Sequence, residues 1–183
     1  MNATSREYST EIELLEACVN QDQRAQRTLY ELYSPRMLTL CIRYIGERER
    51  ARDVLHDGFI IVFEKIGSYN ASGSFEGWLR RIFVNTALMA LRKGDVLKYS
   101  EDLTTVEREV TVDSSVLGNI SSKELLKLIA TMPAGFRTVF NMYAIEGFSH
   151  QEIAKEMNIS EGSSRSQLSR ARIWLQERIG ERY

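Results

Sequence analysis

The stretch 149–172, SHQEIAKEMNISEGSSRSQLSRAR, decides the fold. Ser149 followed by Glu152 is a capping box, in which each side chain satisfies the other residue's free backbone N–H. Ile153, Ala154 and Met157 give a first helix its apolar edge, with Ala154 small where a second helix has to cross closely. Asn158 tolerates the left-handed conformation that stops a helix. Ile159 plugs the core beneath the turn, and Ser160 caps the next helix. Two short helices around a tight turn make a helix-turn-helix, whose second helix is expected to enter a DNA major groove.

That second helix divides into faces. At about 100° per residue, Leu168, Ala171 and Leu175 fall on one side, the core side. Ser163, Ser166 and Arg170 fall opposite, flanked by Gln167 and Ser169. Hydroxyls, an amide and a guanidinium are the groups that read base edges. Arg165 and Arg172 are expected nearer the core edge, better placed for phosphates than for bases. An ordinary solvated face is the competing reading of those polar residues, and the capped, turned helix before them argues against it.

Composition bounds the rest. A chain of 183 residues suits one or two small domains. Its net charge of −1 gives no overall pull toward DNA, so nucleic-acid binding has to come from local patches. Cys18 and Cys41 do not form a metal spacing and point to a reducing compartment. His56 and His150 are far apart, each without a Cys neighbour, so neither zinc nor any other cofactor is expected. The polar, acidic N-terminus carries no signal peptide, and no run is apolar enough to span a bilayer. The expected location is the cytoplasm, without membrane insertion.

Taken in order, the chain reads as helix after helix. Residues up to Ser9 look like a frayed leader. Thr10 with Glu13 is another expected capping box, opening a helix through Ile12, Leu14, Leu15 and Val19. Another begins at Asp22 with Leu29, Leu32 and Tyr33, and Ser34-Pro35 is expected to kink or divide it before the stripe ends at Gly46. No segment alternates with period two for long enough to suggest a strand.

The helix at 50–66, RARDVLHDGFIIVFEKI, has two informative faces. Leu55, Phe59, Val62, Phe63 and Ile66 make a core stripe. Asp53, His56, Asp57, Ile60 and Glu64 make a second one, and an apolar Ile60 among acids and a histidine marks a partner-binding surface. A catalytic or metal reading of Asp53, His56 and Asp57 is weaker, since no second helix offers matching ligands or a nucleophile. Gly58 costs this helix about 1 kcal/mol relative to Ala, so close backbone approach is its expected reason.

A polar loop at 68–74, SYNASGS, precedes a helix from Phe75 to Lys93. Between Gly77 and Gly94 lie Arg80, Arg81, Arg92 and Lys93 and no acid, with Tyr69, Phe75, Trp78 and Phe83 around them. Basic groups beside aromatic rings suit a single nucleic-acid strand, although Phe75, Trp78, Ile82 and Met89 also fit a core at helical spacing. Asn85 is an amide in an apolar run and needs a hydrogen-bond partner, backbone or base. Residues 95–120 turn acidic, through Asp95, Glu101, Asp102, Glu107, Glu109 and Asp113, and read as a flexible linker. Ser121 with Glu124 caps a helix of leucines, and Pro133 starts one that runs to Gly147. The fold class is therefore all-α, two small helical domains joined by a flexible acidic linker.

These motifs, in this order, resemble bacterial sigma factors of the sigma-70 family, specifically the small extracytoplasmic-function (ECF) type that keeps only regions 2 and 4. RDVLHDGFIIVF (52–63) looks like the region 2 helix that binds the β′ clamp of RNA polymerase. GSFEGWLRRIFVNTALMALRK (73–93) looks like the segment that recognises and opens the −10 element. MPAGFRTVFNMYAIEGFSHQEIAKEMNISEGSSRSQLSRAR (132–172) looks like region 4, which reads the −35 element. The resemblance implies region 2 over 10–94, a linker over 95–120 and region 4 over 121–183.

It also implies roles. Asp53, His56, Asp57 and Ile60 would face polymerase, with His56 standing where glutamine is usual. Tyr69, Ser74, Trp78, Arg80, Arg81 and Asn85 would hold the −10 strand, with Met89 where many relatives carry aspartate. Arg165, Ser166, Gln167, Arg170 and Arg172 would meet the −35 duplex, with Gln167 where arginine is common. Implied partners are core RNA polymerase (β′ clamp and β flap), promoter DNA and an anti-sigma factor. An autonomous helix-turn-helix regulator with an N-terminal sensor or dimerisation domain is the alternative. The basic, aromatic stretch from Tyr69 to Lys93 argues against it.

Overall fold

A computed structural model describes residues 8–94 and 122–180; the predicted linker 95–120 and the Ser121 cap lie outside the described residues. Eight α-helices follow one another among them: α1 Glu11–Val19, α2 Gln23–Ile45, α3 Arg48–Lys65, α4 Phe75–Lys93, α5 Ser122–Thr131, α6 Ala134–Phe140, α7 His150–Met157 and α8 Glu161–Gly180. A 3-10 turn, Ile66–Ser68, follows α3, and a π-helical turn, Asn141–Ile145, continues α6. No strand occurs among the described residues. The described residues divide into two compact units, one built on 8–41 and Glu49–Ala87, the other on Ile42–Arg48, 88–94 and 122–180.

The first unit starts with a cap that differs from the expected reciprocal box. Thr10 Oγ1 accepts from the Glu13 N–H at 3.2 Å, but the Glu13 carboxylate accepts from Ser9 N and Oγ at 2.8 and 2.7 Å. Those Ser9 bonds hold the Glu13 carboxyl below its usual pKa. Leu14, Leu15 and Cys18 are buried, whereas Ile12 and Val19, expected in the same apolar pattern, are exposed. Helix α2 runs unbroken through Pro35. Pro35 and Glu31 both face solvent, so water can serve the carbonyl that proline deprives of its N–H. Leu29, Tyr33, Met37, Leu40 and Cys41 line the buried side of α2, and Leu32 falls outside it.

Gly58 sits where α3 meets α4. A Cβ there would collide with the ring of Phe83, which is fully buried and also packs edge-on against Phe59 with centroids 5.2 Å apart. Helix propensity alone predicts that Gly58→Ala stabilises by about 1 kcal/mol. Overpacking a rigid ring costs about 1–3 kcal/mol and outweighs that gain. Thermal unfolding of Gly58→Ala should therefore show a lower Tm, and a raised Tm would contradict the close approach.

In the second unit, Leu128, Met132, Phe136, Ala171, Leu175 and Ile179 form an apolar cluster, flanked by Leu125, Phe140 and Trp174. Beside it lies a buried polar group that the sequence reading did not single out. The Arg137 guanidinium donates to four backbone carbonyls: Tyr44 at 2.9 Å, Ile45 at 2.9 Å, Ala130 at 2.8 Å and Met132 at 3.0 Å. Burial lowers its pKa to about 10, which still leaves it charged near neutral pH. Gly46 adopts φ +84°, and any Cβ there would strike the Ala130 carbonyl and this guanidinium. Glycine is required on both counts. Asn141 Nδ2 donates to the Arg43 carbonyl at 2.9 Å, and Arg43 pairs with Glu146 at 2.9 Å, both side chains nearly enclosed.

Candidate nucleic-acid and polymerase interfaces

Helices α7 and α8 are built as their sequence predicts. Ser149 Oγ accepts from the Glu152 N–H at 3.2 Å, and the Glu152 carboxylate accepts from the Ser149 N–H at 2.8 Å. Asn158 ends α7 in the left-handed region at φ 55°. Ser160 Oγ then accepts from the Ser163 N–H at 3.0 Å and starts α8. Ile153, Met157, Leu168, Ala171 and Leu175 are buried. The outward side of α8 therefore follows from the packing of its inward side.

Along α8, Ser163 and Arg165 are exposed, while Ser166, Gln167, Arg170 and Arg172 are half-buried. Arg165 was expected nearer the core edge. It instead projects into solvent and pairs with Glu161 at 2.8 Å, one turn back on the same helix. Gln167 turns partly inward, and its Oε1 is buried with no hydrogen-bond partner among the described residues. Two residues were missed in the sequence. Ser164 is fully buried, and His150 Nδ1 lies 2.8 Å from its Oγ. The signal was present: Ser164 precedes Leu168 and Ala171 by four and seven residues, which places a hydroxyl on the core stripe.

In the first unit, the loop before α4 is ordered by its own side chains. The Tyr69 hydroxyl donates to the Gly73 carbonyl, and Asn70 Oδ1 accepts from the Ser72 N–H at 3.1 Å. Ser74 Oγ accepts from the Gly77 N–H at 3.1 Å. The rings of Tyr69, Phe75 and Trp78 form one cluster, with centroids 5.2–5.7 Å apart. Phe75 is core, but Tyr69 and Trp78 remain half-buried and so offer ring surface to a ligand. Glu76 is held by Arg36 at 2.6 Å and sits 3.9 Å from Arg80. Arg81, Asn85 and Met89 are exposed at four-residue intervals on α4. Exposure also answers the Asn85 question, since water can satisfy an exposed amide without any internal partner. Met89, which fits the core by spacing, is 62% exposed.

On α3 the second stripe is fully outward. Asp53, His56, Asp57, Ile60 and Glu64 are all exposed, and Ile60 retains 57% of its accessible surface. Behind them Val54, Leu55, Gly58, Phe59 and Val62 are buried, so the helix cannot rotate Ile60 inward. Among the described residues no group of three or more His, Cys, Asp or Glu side chains could hold a metal ion. No described helix is long and apolar enough to cross a membrane.

Comparison with known proteins identifies the family to which the chain belongs. Residues 29–96 match the model of sigma-70 region 2, and residues 122–175 that of sigma-70 region 4. The chain is 29% identical over 171 residues to the RNA polymerase sigma-H factor of Pseudomonas aeruginosa, covering 87% of this chain and 89% of that protein. It is 28% identical over 184 residues to the ECF RNA polymerase sigma-E factor of Escherichia coli, covering 94% and 96%. Its fold is similar to that of the sigma factor RpoE of Bartonella quintana, solved with the anti-sigma factor NepR, at a TM-score of 0.52 and 21% identity over 85% of this chain and 96% of that one. A helix-turn-helix by itself occurs in many regulators. Preceded by a matching region 2, it makes this chain a member of the sigma-70 family of RNA polymerase sigma factors, in the extracytoplasmic-function group, which directs transcription initiation.

Proposed function

We propose that the chain divides promoter recognition between two modules, residues 10–94 and 121–183, joined by a tether at 95–120. Asp53, His56, Asp57 and Ile60 dock on the β′ clamp of core RNA polymerase. Tyr69, Ser74, Trp78, Arg80, Arg81 and Asn85 hold the −10 strand, and Arg165, Ser166, Gln167, Arg170 and Arg172 meet the −35 duplex. The second module also engages the β flap. The observation that carries this reading is the presence in one unit of an exposed acidic–apolar stripe on α3, an ordered aromatic loop, and Arg80 and Arg81 of α4.

The division of labour follows from the chemistry. Unstacking bases costs a few kcal/mol per step, which capture of a flipped base against ring surface and an amide offsets. The chain itself catalyses nothing and works in the cytoplasm. An anti-sigma factor, as bound to the Bartonella protein, is a fitting regulator because it would compete for surfaces that polymerase uses. Transcription from a promoter library by purified core polymerase, with and without this chain, tests the reading. Chain-dependent transcripts should share two spaced elements, and transcripts without common elements would refute it.

Within the −35 contacts, two arginines should behave differently. Arg170→Ala is expected to cost about 1–3 kcal/mol and relax preference at one base pair. Arg172→Ala should weaken all sequences alike and reduce the salt slope by about one. Competition binding of the holoenzyme to −35 variants checks this, and uniform losses for both would remove Arg170 as a base reader.

A further inference from the structure

One titratable side chain beside the recognition helix has no part in the contacts assigned above. His150 opens α7, and its ring is held from two sides. Tyr143, from the π-helical turn, stacks on it with centroids 4.5 Å apart and planes 21° from parallel. Nδ1 lies 2.8 Å from the Oγ of Ser164 in α8, a hydroxyl that cannot drift because its residue is fully buried. The ring is only half-buried, and Nε2 is its one polar atom outside that bond. The charged groups bearing on it are Arg165, Glu161 and Arg172, all from α8.

We propose that His150 takes up a proton when the −35 duplex docks and, as an imidazolium, donates through Nδ1 to Ser164 Oγ and through Nε2 to a DNA phosphate oxygen. The inference rests on the −35 reading of α8. His150 belongs to the first helix of the pair, which crosses the DNA backbone while the second enters the groove, so a phosphate rather than a base is its counterpart. Only the doubly protonated ring donates from both nitrogens at once. A serine hydroxyl accepts as readily as it donates, so the Ser164 bond survives the change. The proton comes from solvent and returns to it on release.

The sign of the effect follows from the surroundings. In the free protein burial, and then the Arg165 charge, push the His150 pKa below its ordinary value; Glu161 opposes this and Arg172 adds to it. The free ring is therefore neutral near pH 7. A phosphate oxygen against Nε2 supplies an anion that favours the charged form and raises the pKa in the complex. Binding then takes up a proton, and affinity rises as pH falls from the bound pKa toward the lower free one. An unlinked phosphate contact would show no such dependence.

The test uses holoenzyme made from core polymerase and the full chain, on a promoter selected by the wild-type holoenzyme. Affinities of wild type, His150→Gln and His150→Lys are compared at pH 8 and pH 6, which cancels the pH response of the polymerase itself. The ratio of wild-type to His150→Gln affinity should rise about three- to tenfold toward pH 6, within the limit of tenfold per pH unit for one proton. His150→Lys carries its charge throughout, so the ratio of wild-type to His150→Lys affinity should rise in the same way. Ratios that stay constant overturn the proposal, and either variant alone suffices if the other does not fold. Failure of the underlying reading looks different: wild-type holoenzyme would then bind a duplex with a scrambled −35 element as well as the selected one.

Discussion

Replacing Ile60 with lysine is expected to weaken binding to core polymerase by about 2–4 kcal/mol, roughly 30- to 1,000-fold. Ile60 is exposed in the free chain and sits among Asp53, His56, Asp57 and Glu64. In the complex its apolar surface would be covered, and a lysine there would have to shed its hydration to be buried, a cost that its helix neighbours Asp57 and Glu64 offset only in part. The free protein should hardly notice. Lysine is at least as good a helix former as isoleucine, and exposed substitutions usually stay within about 0.5 kcal/mol. The expected pattern is thus an unchanged Tm with lost affinity in a titration against core polymerase. Unchanged affinity would remove this face of α3 from the interface.

Arg137→Met should destabilise the second unit by at least about 1–3 kcal/mol, the cost of leaving a buried acceptor without its donor. Methionine fills much the same length but donates nothing, so the carbonyls of Tyr44, Ile45, Ala130 and Met132 lose their shared donor in a place water does not readily reach. Arg137→Lys should recover only part of the loss, because one ammonium has three donors and no planar fork. Denaturant midpoints of the two variants check both statements. A cost below about 1 kcal/mol for Arg137→Met would show that those carbonyls are satisfied some other way.

The two cases mark how far the sequence could be read. Ile60 was legible because three-and-four spacing on α3 assigns every residue to a face, and the structure exposes the whole Asp53–Glu64 stripe. The helix-turn-helix was legible for a related reason. Its caps at Ser149, Asn158 and Ser160 are local chemistry, fixed by residues three or four apart. Arg137 was not legible, since its partners Tyr44 and Ile45 lie more than ninety positions away in the chain and are backbone atoms that carry no residue signature. Ile12, Val19, Leu32 and Met89 fit an apolar period yet face solvent. Periodicity predicts a stripe but not its width, and tertiary packing decides where the edge falls. Arg165 and Gln167 show the same limit in the candidate site, one turned outward to Glu161 and the other partly inward.

The central claim is that this chain makes core polymerase open a promoter it selects. Permanganate reactivity of thymines at the −10 element of a selected promoter tests it most directly, with core polymerase and the chain supplied separately and together. Reactive thymines confined to the −10 element, and seen only when both are present, are the predicted result. Reactivity with either component alone, or binding of the pair without any reactive thymine, would contradict it.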